Sequence, residues 1–161
     1  MLKGRIAGLD VGQRRIGIAV SDLLGVTAQG LPTLKRQNRY TDLAYLTKLA
    51  RDYEVERWIV GLPIHMSGRE SAQAQKVRRL GELLQAATGI PVEYRDERLS
   101  TVEAARVLKQ AELSLEKTRQ AIDRLSAVLI LQGYLDQLAE EAARLRPQEE
   151  DLAEEEDGYG A

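Results

Sequence analysis

Hydrophobic and polar positions alternate near the start of the chain in a pattern that predicts β-strands. Residues 5–10 and 15–20 are alternating or continuously apolar and rich in β-branched side chains, and the four residues between them have the composition of a turn. This spacing predicts a hairpin. Gly25 can turn the chain into a third strand over residues 27–34.

The apolar positions then change between the period of an α-helix and that of a buried strand. The predicted elements are a helix from Thr41, a strand over 57–63, a helix over 71–87, a strand over 92–97, a helix from Ser100 and a helix over 118–145. The stripe predicted to bury the last helix is Ile122, Leu125, Leu129, Gln132, Leu135 and Leu138. Antiparallel strands followed by alternating helices and strands predict an α/β fold with a five-stranded mixed sheet flanked by helices.

Charge is distributed unevenly along the 161 residues, although the formal net charge is only -2. Residues 140–161 contain nine acids and two arginines, whereas residues 1–139 contain 21 basic and 16 acidic side chains. We therefore expect one folded domain over residues 1–146 and an acidic, disordered tail over 147–161. The basic excess of the domain is compatible with a polyanionic partner.

The composition excludes several classes of chemistry. The chain has no cysteine, so disulfides, thiolate metal sites and cysteine nucleophiles are ruled out. No apolar run has the length of a signal peptide or a membrane span, which predicts a cytoplasmic protein with no membrane partner. Aromatic residues make up 4% of the chain, too few for a platform on which bases could stack.

Acidic residues lie where the predicted strands end. Asp10 ends the first strand, Asp96 and Glu97 end the last, and Asp123 lies in the first turns of the final helix. If the first strand is central, these ends meet at one edge of the sheet. Each acid alone is compatible with a turn, a solvated strand end or a helix start. Together they are hard oxygen ligands that suit Mg²⁺ or Mn²⁺, which are used to hydrolyse phosphodiesters. Spacing leaves open whether Asp96 or Glu97 faces the site.

Basic side chains near these acids predict a track for nucleic-acid phosphates. They are Arg14, Arg15, Arg95, Arg98, Lys117 and Arg119. Each of them alone is also compatible with a solvated surface charge. The loop that follows Pro63 contains His65 and Ser67, which we expect near the substrate. His65 is a candidate for binding a phosphate or moving a proton, and an ordinary surface histidine is the alternative.

Four ordered motifs resemble the YqgF/RuvX family of Holliday-junction-resolvase-like proteins and pre-16S rRNA nucleases. They are GLDVG at 8–12 with RRIGIAVSD at 14–22, VGLP at 60–63 with Gly68, DERLST at 96–101, and ID at 122–123 with LQGYLD at 131–136. The resemblance implies a ribonuclease H-like fold. It also implies that Asp10, Glu97 and Asp123 are catalytic metal ligands, and so selects Glu97 over Asp96. The family usually has an asparagine and an acid before Gly68, where this chain has His65 and Ser67.

The resemblance implies a metal-dependent endonuclease that acts on structured nucleic acid. Its substrate is expected to be the 5′ end of the 16S rRNA precursor, or a branched DNA junction, and the chain is expected to be a monomer or a homodimer. An alternative is a ribosome assembly factor that binds RNA without cutting it. An actin-like or sugar-kinase phosphate loop at Asp10 to Gly12 is disfavoured, because those enzymes close a cleft between two related domains and this chain has one.

Overall fold

The computed structural model describes residues 4–65, 67–97 and 116–158, and the side chains of the last range from 119 to 145. The helix predicted from Ser100 lies outside these residues, as do Arg98 and the Lys117 side chain. In the part of the chain that is described, no helix combines the length and apolar character that a membrane crossing requires.

The described elements form one mixed sheet with helices on both faces. They are β1 Arg5–Val11, β2 Arg15–Ser21, β3 Ala28–Lys35, α1 Arg39–Asp52, β4 Val55–Leu62, α2 Ala72–Thr88, β5 Val92–Asp96 and α3 Glu116–Gly158. The strand order is β3-β2-β1-β4-β5. β1 is central, pairing antiparallel with β2 and parallel with β4, and β4 pairs parallel with β5. The predicted five-stranded mixed sheet is confirmed.

Alternating strand residues build two separate cores, one on each face of the sheet. One core includes Leu9 and Trp58 and packs beneath α1 and α2. The other includes Ile6 and Ile59, which pack against α3 around Leu131. The central strands are apolar on both faces because helices cover both, as expected for parallel neighbours.

Side-chain caps determine where the first two helices begin. The Asn38 side chain accepts a hydrogen bond from the Thr41 N–H at 2.8 Å, so α1 begins at Arg39, two residues before the predicted start. In the same way Ser71 accepts from the Ala74 N–H at 3.1 Å at the start of α2. That helix ends at Gly89, whose left-handed backbone (φ 69°) stops it as the sequence predicts.

The buried face of α3 differs from the predicted stripe. Leu135 of the predicted stripe is buried, and Leu129 and Leu138 pack partly buried against the same core, whereas Leu125 is 47% exposed. Ala127, Ile130 and Leu131, which lie outside the predicted stripe, are buried against the sheet. Ser126 and Ala127 are also buried here, because strand glycines beneath the helix let its backbone approach the sheet closely. Hydrophobic spacing alone does not indicate these small residues as buried. The backbone of α3 also continues beyond residue 145, where the sequence predicts its end, to Gly158. The division into a domain over 1–146 and a disordered tail over 147–161 stays a prediction.

Candidate active site

The first predicted acid lies on the central strand. Asp10 is buried near the carboxyl end of β1, with 4% of its surface exposed. Alternation along the strand places its side chain on the same face as Ile6 and Gly8, which pack against α3. The acid therefore points toward the α3 side of the sheet, away from the core beneath α1 and α2.

Gly17 brings the backbone of Asp123 against the strand position that pairs with Asp10. It pairs directly with Asp10 across β1 and β2. A Cβ at Gly17 would lie 2.0 Å from the carbonyl oxygen of Asp123, so only a glycine allows α3 to approach so closely. Asp123 is buried at 2% exposure beside this contact.

Gly61 has the same relation to Glu97 on the other side of Asp10. Leu9 pairs with Val60, so the next residues, Asp10 and Gly61, are neighbours across β1 and β4. A Cβ at Gly61 would lie 2.7 Å from Oε1 of Glu97, which is 5% exposed. Asp10 is thus flanked by two glycines, one in contact with Asp123 and the other with Glu97. We call Gly8, Gly17 and Gly61 the glycine floor.

The structure separates the two neighbouring acids at the end of β5. Tyr94 packs with the core beneath α1 and α2, and its hydroxyl donates to the Arg78 carbonyl on α2 at 3.0 Å. Alternation places Asp96 on the Tyr94 side. Glu97 contacts the glycine floor on the α3 side. Of the two acids, Glu97 is therefore the one on the same face as Asp10.

Asp123 is held by an arginine from the first hairpin. The Nε of Arg15 donates to Oδ2 of Asp123 at 2.7 Å, and both side chains are largely buried, at 11% and 2% exposure. A charge-assisted bond of this kind fixes the carboxylate near the start of α3 against β2. Arg15, which we predicted on a phosphate track, is therefore engaged with a predicted metal ligand.

The donor set fits a divalent cation in its chemistry. Three carboxylates supply the hard oxygens that Mg²⁺ and Mn²⁺ prefer. Among the residues with described side chains, however, no three acidic or histidine groups lie close enough together to hold an ion. Binding an ion with Asp10, Glu97 and Asp123 therefore requires these side chains to come closer than they lie here.

The other predicted basic residues differ in their contacts and in their exposure to solvent. Arg95, on β5, donates to the side chain of Gln137 at 2.8 Å, and its guanidinium packs against Gly133 on α3. Arg119 is half-buried in the first turns of α3. Arg14 is exposed in the turn between β1 and β2. The structure therefore brings Arg15 to the acids, whereas Arg95 is docked on α3.

His65 and Ser67 lie in a short loop at the carboxyl end of β4. The His65 N–H donates to the Arg69 carbonyl at 2.9 Å, and the His65 carbonyl accepts from the Gly68 N–H at 2.8 Å. Both side chains are exposed. β4 runs parallel to β1, so this loop and Asp10 lie at the same end of the sheet.

A basic groove lies on the other face of the sheet, beside the β1–β2 turn. It encloses about 700 Å³. Its cationic side chains come from the turn, the end of β3, the start of α1 and one side of α2: Arg14, Lys35, Arg36, Arg39, Lys76 and Arg79. Of these six, the sequence analysis singled out Arg14 alone. The Lys35-Arg36 pair and the spacing of Lys76 and Arg79 on α2 were the available signals.

The strand order and the buried acid on the central strand define a protein of the ribonuclease H-like fold. RuvC from Thermus thermophilus has this fold in a complex with a Holliday junction substrate: it is 17% identical, has a TM-score of 0.53, and the match covers 82% of this chain and 93% of that one. A second structure of Thermus thermophilus RuvC is 14% identical, also has a TM-score of 0.53, and the match covers 84% of this chain and 96% of that one. At these identities the likeness establishes the fold alone.

The chain belongs to the RuvX family, whose model, described as a Holliday junction resolvase, matches residues 4–137. A protein of Moorella thermoacetica named "Putative pre-16S rRNA nuclease" is 54% identical over 136 residues, 84% of this chain and 97% of that protein. A protein of the same name from Clostridioides difficile is 51% identical, covering 84% and 96%. The family resemblance read from the motifs is confirmed, and the membership identifies the chain as a hydrolase of the nuclease class.

Proposed function

We propose that the chain is a metal-dependent endonuclease that hydrolyses phosphodiester bonds at the 5′ end of 16S rRNA precursors during ribosome biogenesis. The observation that carries the proposal is the burial of Asp10, Glu97 and Asp123 on one face at one end of the sheet. Relatives that are 54% and 51% identical in sequence carry the name of a nuclease for this precursor. The chain then acts in the cytoplasm.

Asp10, Glu97 and Asp123 are the residues that would hold Mg²⁺ or Mn²⁺. When bound, the ion supplies charge neutralisation at the phosphate and activation of the attacking water. The chain supplies the positions of the carboxylates. Asp10 is fixed on a strand bonded on both sides, and the glycine floor allows α3 and Glu97 to approach it. Arg15 orients Asp123.

The three buried carboxylates argue against an assembly factor that binds RNA without cutting it, because a bound RNA would place its phosphates beside them. Without a cation these groups would repel the substrate. A protein that only binds RNA gains nothing from keeping three of them on one face. The assembly factor nevertheless stays as an outcome of the test.

Branched DNA is the second candidate substrate, because the family model is described as a Holliday junction resolvase. Symmetric cutting of a four-way junction needs two active sites, and hence a homodimer. Trimming of an RNA end requires a monomer only. The substrate that is cut therefore also predicts the oligomeric state.

The test is cleavage of an end-labelled pre-16S rRNA fragment and a labelled four-way DNA junction by the purified full chain. Each substrate is incubated with Mg²⁺, Mn²⁺ or EDTA. We expect metal-dependent cutting of the RNA, and its abolition in Asp10→Asn, which keeps the shape of the side chain. The matched control is Asp52→Asn, the same change at an exposed position near the end of α1, which should cut like the wild type.

Three outcomes would change the conclusion. Wild-type cutting by Asp10→Asn would show that the carboxylates are not the catalytic groups. Cutting of the junction alone would replace RNA by branched DNA as the substrate. Binding of the RNA without cutting of either substrate, under every metal condition, would favour the assembly factor.

A further inference from the structure

The basic groove has the charge of a phosphate-binding surface. Its six cations face one acid, Asp42, within the lining. Asp42 is 1% exposed and is already bonded to Nε of Arg36 at 3.3 Å and to the Gln37 N–H at 3.1 Å. Within the described part of the chain, no carboxylate forms an ion pair with the other five cations. The groove therefore has an uncompensated positive charge.

We propose that this groove binds the sugar-phosphate backbone of the RNA strand that extends beyond the cleavage position. The proposal rests on the proposed function, because it takes the substrate of the nuclease to be the groove's ligand. It adds Lys35, Arg39, Lys76 and Arg79 to the nucleic-acid contacts.

The position of the groove relative to the acids supports one continuous path. Val11, which lines the groove, directly follows Asp10 on β1. Asp10 and Val11 point to opposite faces of the sheet. The acids therefore lie on one side of the β1–β2 turn and the groove on the other. An RNA strand that crosses the β1–β2 turn would pass from the carboxylates into the groove.

The β1–β2 turn, which separates the acids from the groove, is held in place by Arg36, a residue of the groove lining. Arg36 donates to the Gly12 carbonyl in the turn at 2.8 Å, and its backbone N–H donates to the Arg14 carbonyl at 2.9 Å. These bonds tie the β1–β2 turn to the end of β3. Arg14 and Arg15 are neighbours in this turn, with Arg14 lining the groove and Arg15 bonded to Asp123.

The lining indicates recognition of backbone rather than of bases or of an apolar ligand. Two apolar residues, Val11 and Leu80, line the groove, and no aromatic side chain does. Small-molecule sites are predominantly apolar, and sequence-tolerant base binding relies on aromatic stacking. The remaining lining consists of charged and amide side chains such as Gln13 and Gln73, which suit phosphate oxygens.

The test measures RNA affinity against salt concentration, using a fluorescein-labelled 20-nucleotide oligouridine in EDTA so that cleavage does not interfere. The groove variant is Arg39→Gln combined with Lys76→Gln. The control is Lys48→Gln combined with Arg51→Gln, which removes the same charge from the exposed far end of α1. Arg51 lies about 18 Å from Arg39 along the helix axis.

Loss of two phosphate contacts should reduce the slope of log affinity against log salt by about 1.4, at about 0.7 per contact on a single strand. The affinity advantage of the wild type over the groove variant should therefore shrink about sevenfold between 50 and 200 mM salt. The control should keep the wild-type slope. A groove variant with the wild-type slope would overturn the proposal.

A cross-linking experiment gives a second readout that a structural role would not change. The chain has no cysteine, so Gln37→Cys in the groove and Lys48→Cys on α1 can each carry a single photoreactive label. The groove label should cross-link to the oligouridine and the α1 label should not. Equal cross-linking from both positions would overturn the proposal.

The outcomes separate this inference from the proposed function. If the wild type cuts pre-16S rRNA while the groove variant keeps its salt slope, the groove inference fails and the nuclease stands. If the groove variant loses slope and affinity but no metal supports cutting, the groove stands and the nuclease fails. If inorganic pyrophosphate binds the wild type more tightly than the groove variant while the oligouridine binds neither, the groove is a small-anion site and the inference is wrong.

Discussion

Gly17 is the position where the glycine floor can be tested most directly. Replacing it with alanine adds one methyl group between β2 and α3. The added Cβ would lie 2.0 Å from the carbonyl oxygen of Asp123 and 2.7 Å from its carbonyl carbon. Both atoms belong to the helix backbone, so no side-chain rotation can relieve the clash.

The cost follows from the distance that the helix must move. Ordinary contact begins at 3.4 Å, so the start of α3 must retreat by about 1.4 Å. Overpacking of a well-packed core costs about 1–3 kcal/mol. The lower conformational entropy of an unfolded alanine returns about 0.4–1 kcal/mol of this. We therefore expect Gly17→Ala to lose about 1 kcal/mol of stability, or roughly 2–4 °C in melting temperature for a domain of this size.

The assay combines thermal unfolding with RNA cleavage at a temperature where the variant remains folded. Cleavage should fall there too, because the displaced carbonyl belongs to Asp123. The matched control is Gly30→Ala on β3, where the added Cβ would meet Cγ and Cδ of the exposed Arg124 side chain, which can swing away. A Gly17→Ala protein that melts and cuts like the wild type would refute the close approach of α3 to β2.

Three further predictions concern other contacts. Gly61→Ala should reduce both stability, measured by urea unfolding, and cleavage, because its Cβ would lie 2.5 Å from Cδ1 of the buried Ile130 and 2.7 Å from Oε1 of Glu97. Arg15→Gln should lower the free energy of unfolding in EDTA by about 3 kcal/mol, since it removes the guanidinium that pairs with the buried Asp123 carboxylate. If adding Mg²⁺ did not restore part of this lost stability, metal ligation by Asp123 would be contradicted. Burial raises the pKa of Tyr94 above its ordinary 10.0, so stability should fall as pH rises above 10, less so in Tyr94→Phe.

The end of the sheet that carries the acids is predictable from sequence because local patterns determine it. The turn between β1 and β2 fixes the central hairpin, and strand ends identify Asp10. The preference for Glu97 over Asp96 came from the family motif. Strand alternation in the structure gives the physical reason, because Tyr94 fixes which face the even-numbered residues of β5 share.

The packing of α3 could not be predicted in the same way. Hydrophobic spacing assigns Leu125 to the core, where the structure exposes it. The helix instead turns Ser126 and Ala127 inward, because small side chains fit against a sheet surface without Cβ atoms. A hydrophobicity pattern records how apolar a position is and contains no information on how near the opposing backbone will come.

The basic groove is hidden in the sequence for a different reason. Arg14, Lys35, Arg39 and Lys76 come from four separate elements, and no short window contains more than a few of them. Their convergence depends on the strand order, which places the β1–β2 turn beside the end of β3. A search for charge near the acids along the chain finds Arg14 and misses the others.

The central position of β1 gives Asp10 and Glu97 unequal local stability. The backbone around Asp10 is bonded to strands on both sides, so its amide hydrogens should exchange with solvent only when the whole domain unfolds. Glu97 follows β5, a five-residue strand at the edge of the sheet, where exchange needs only local opening. The backbone of Asp10 therefore stays closed while that of Glu97 can open locally. A hydrogen-exchange map would show slower exchange around Asp10 than around Glu97.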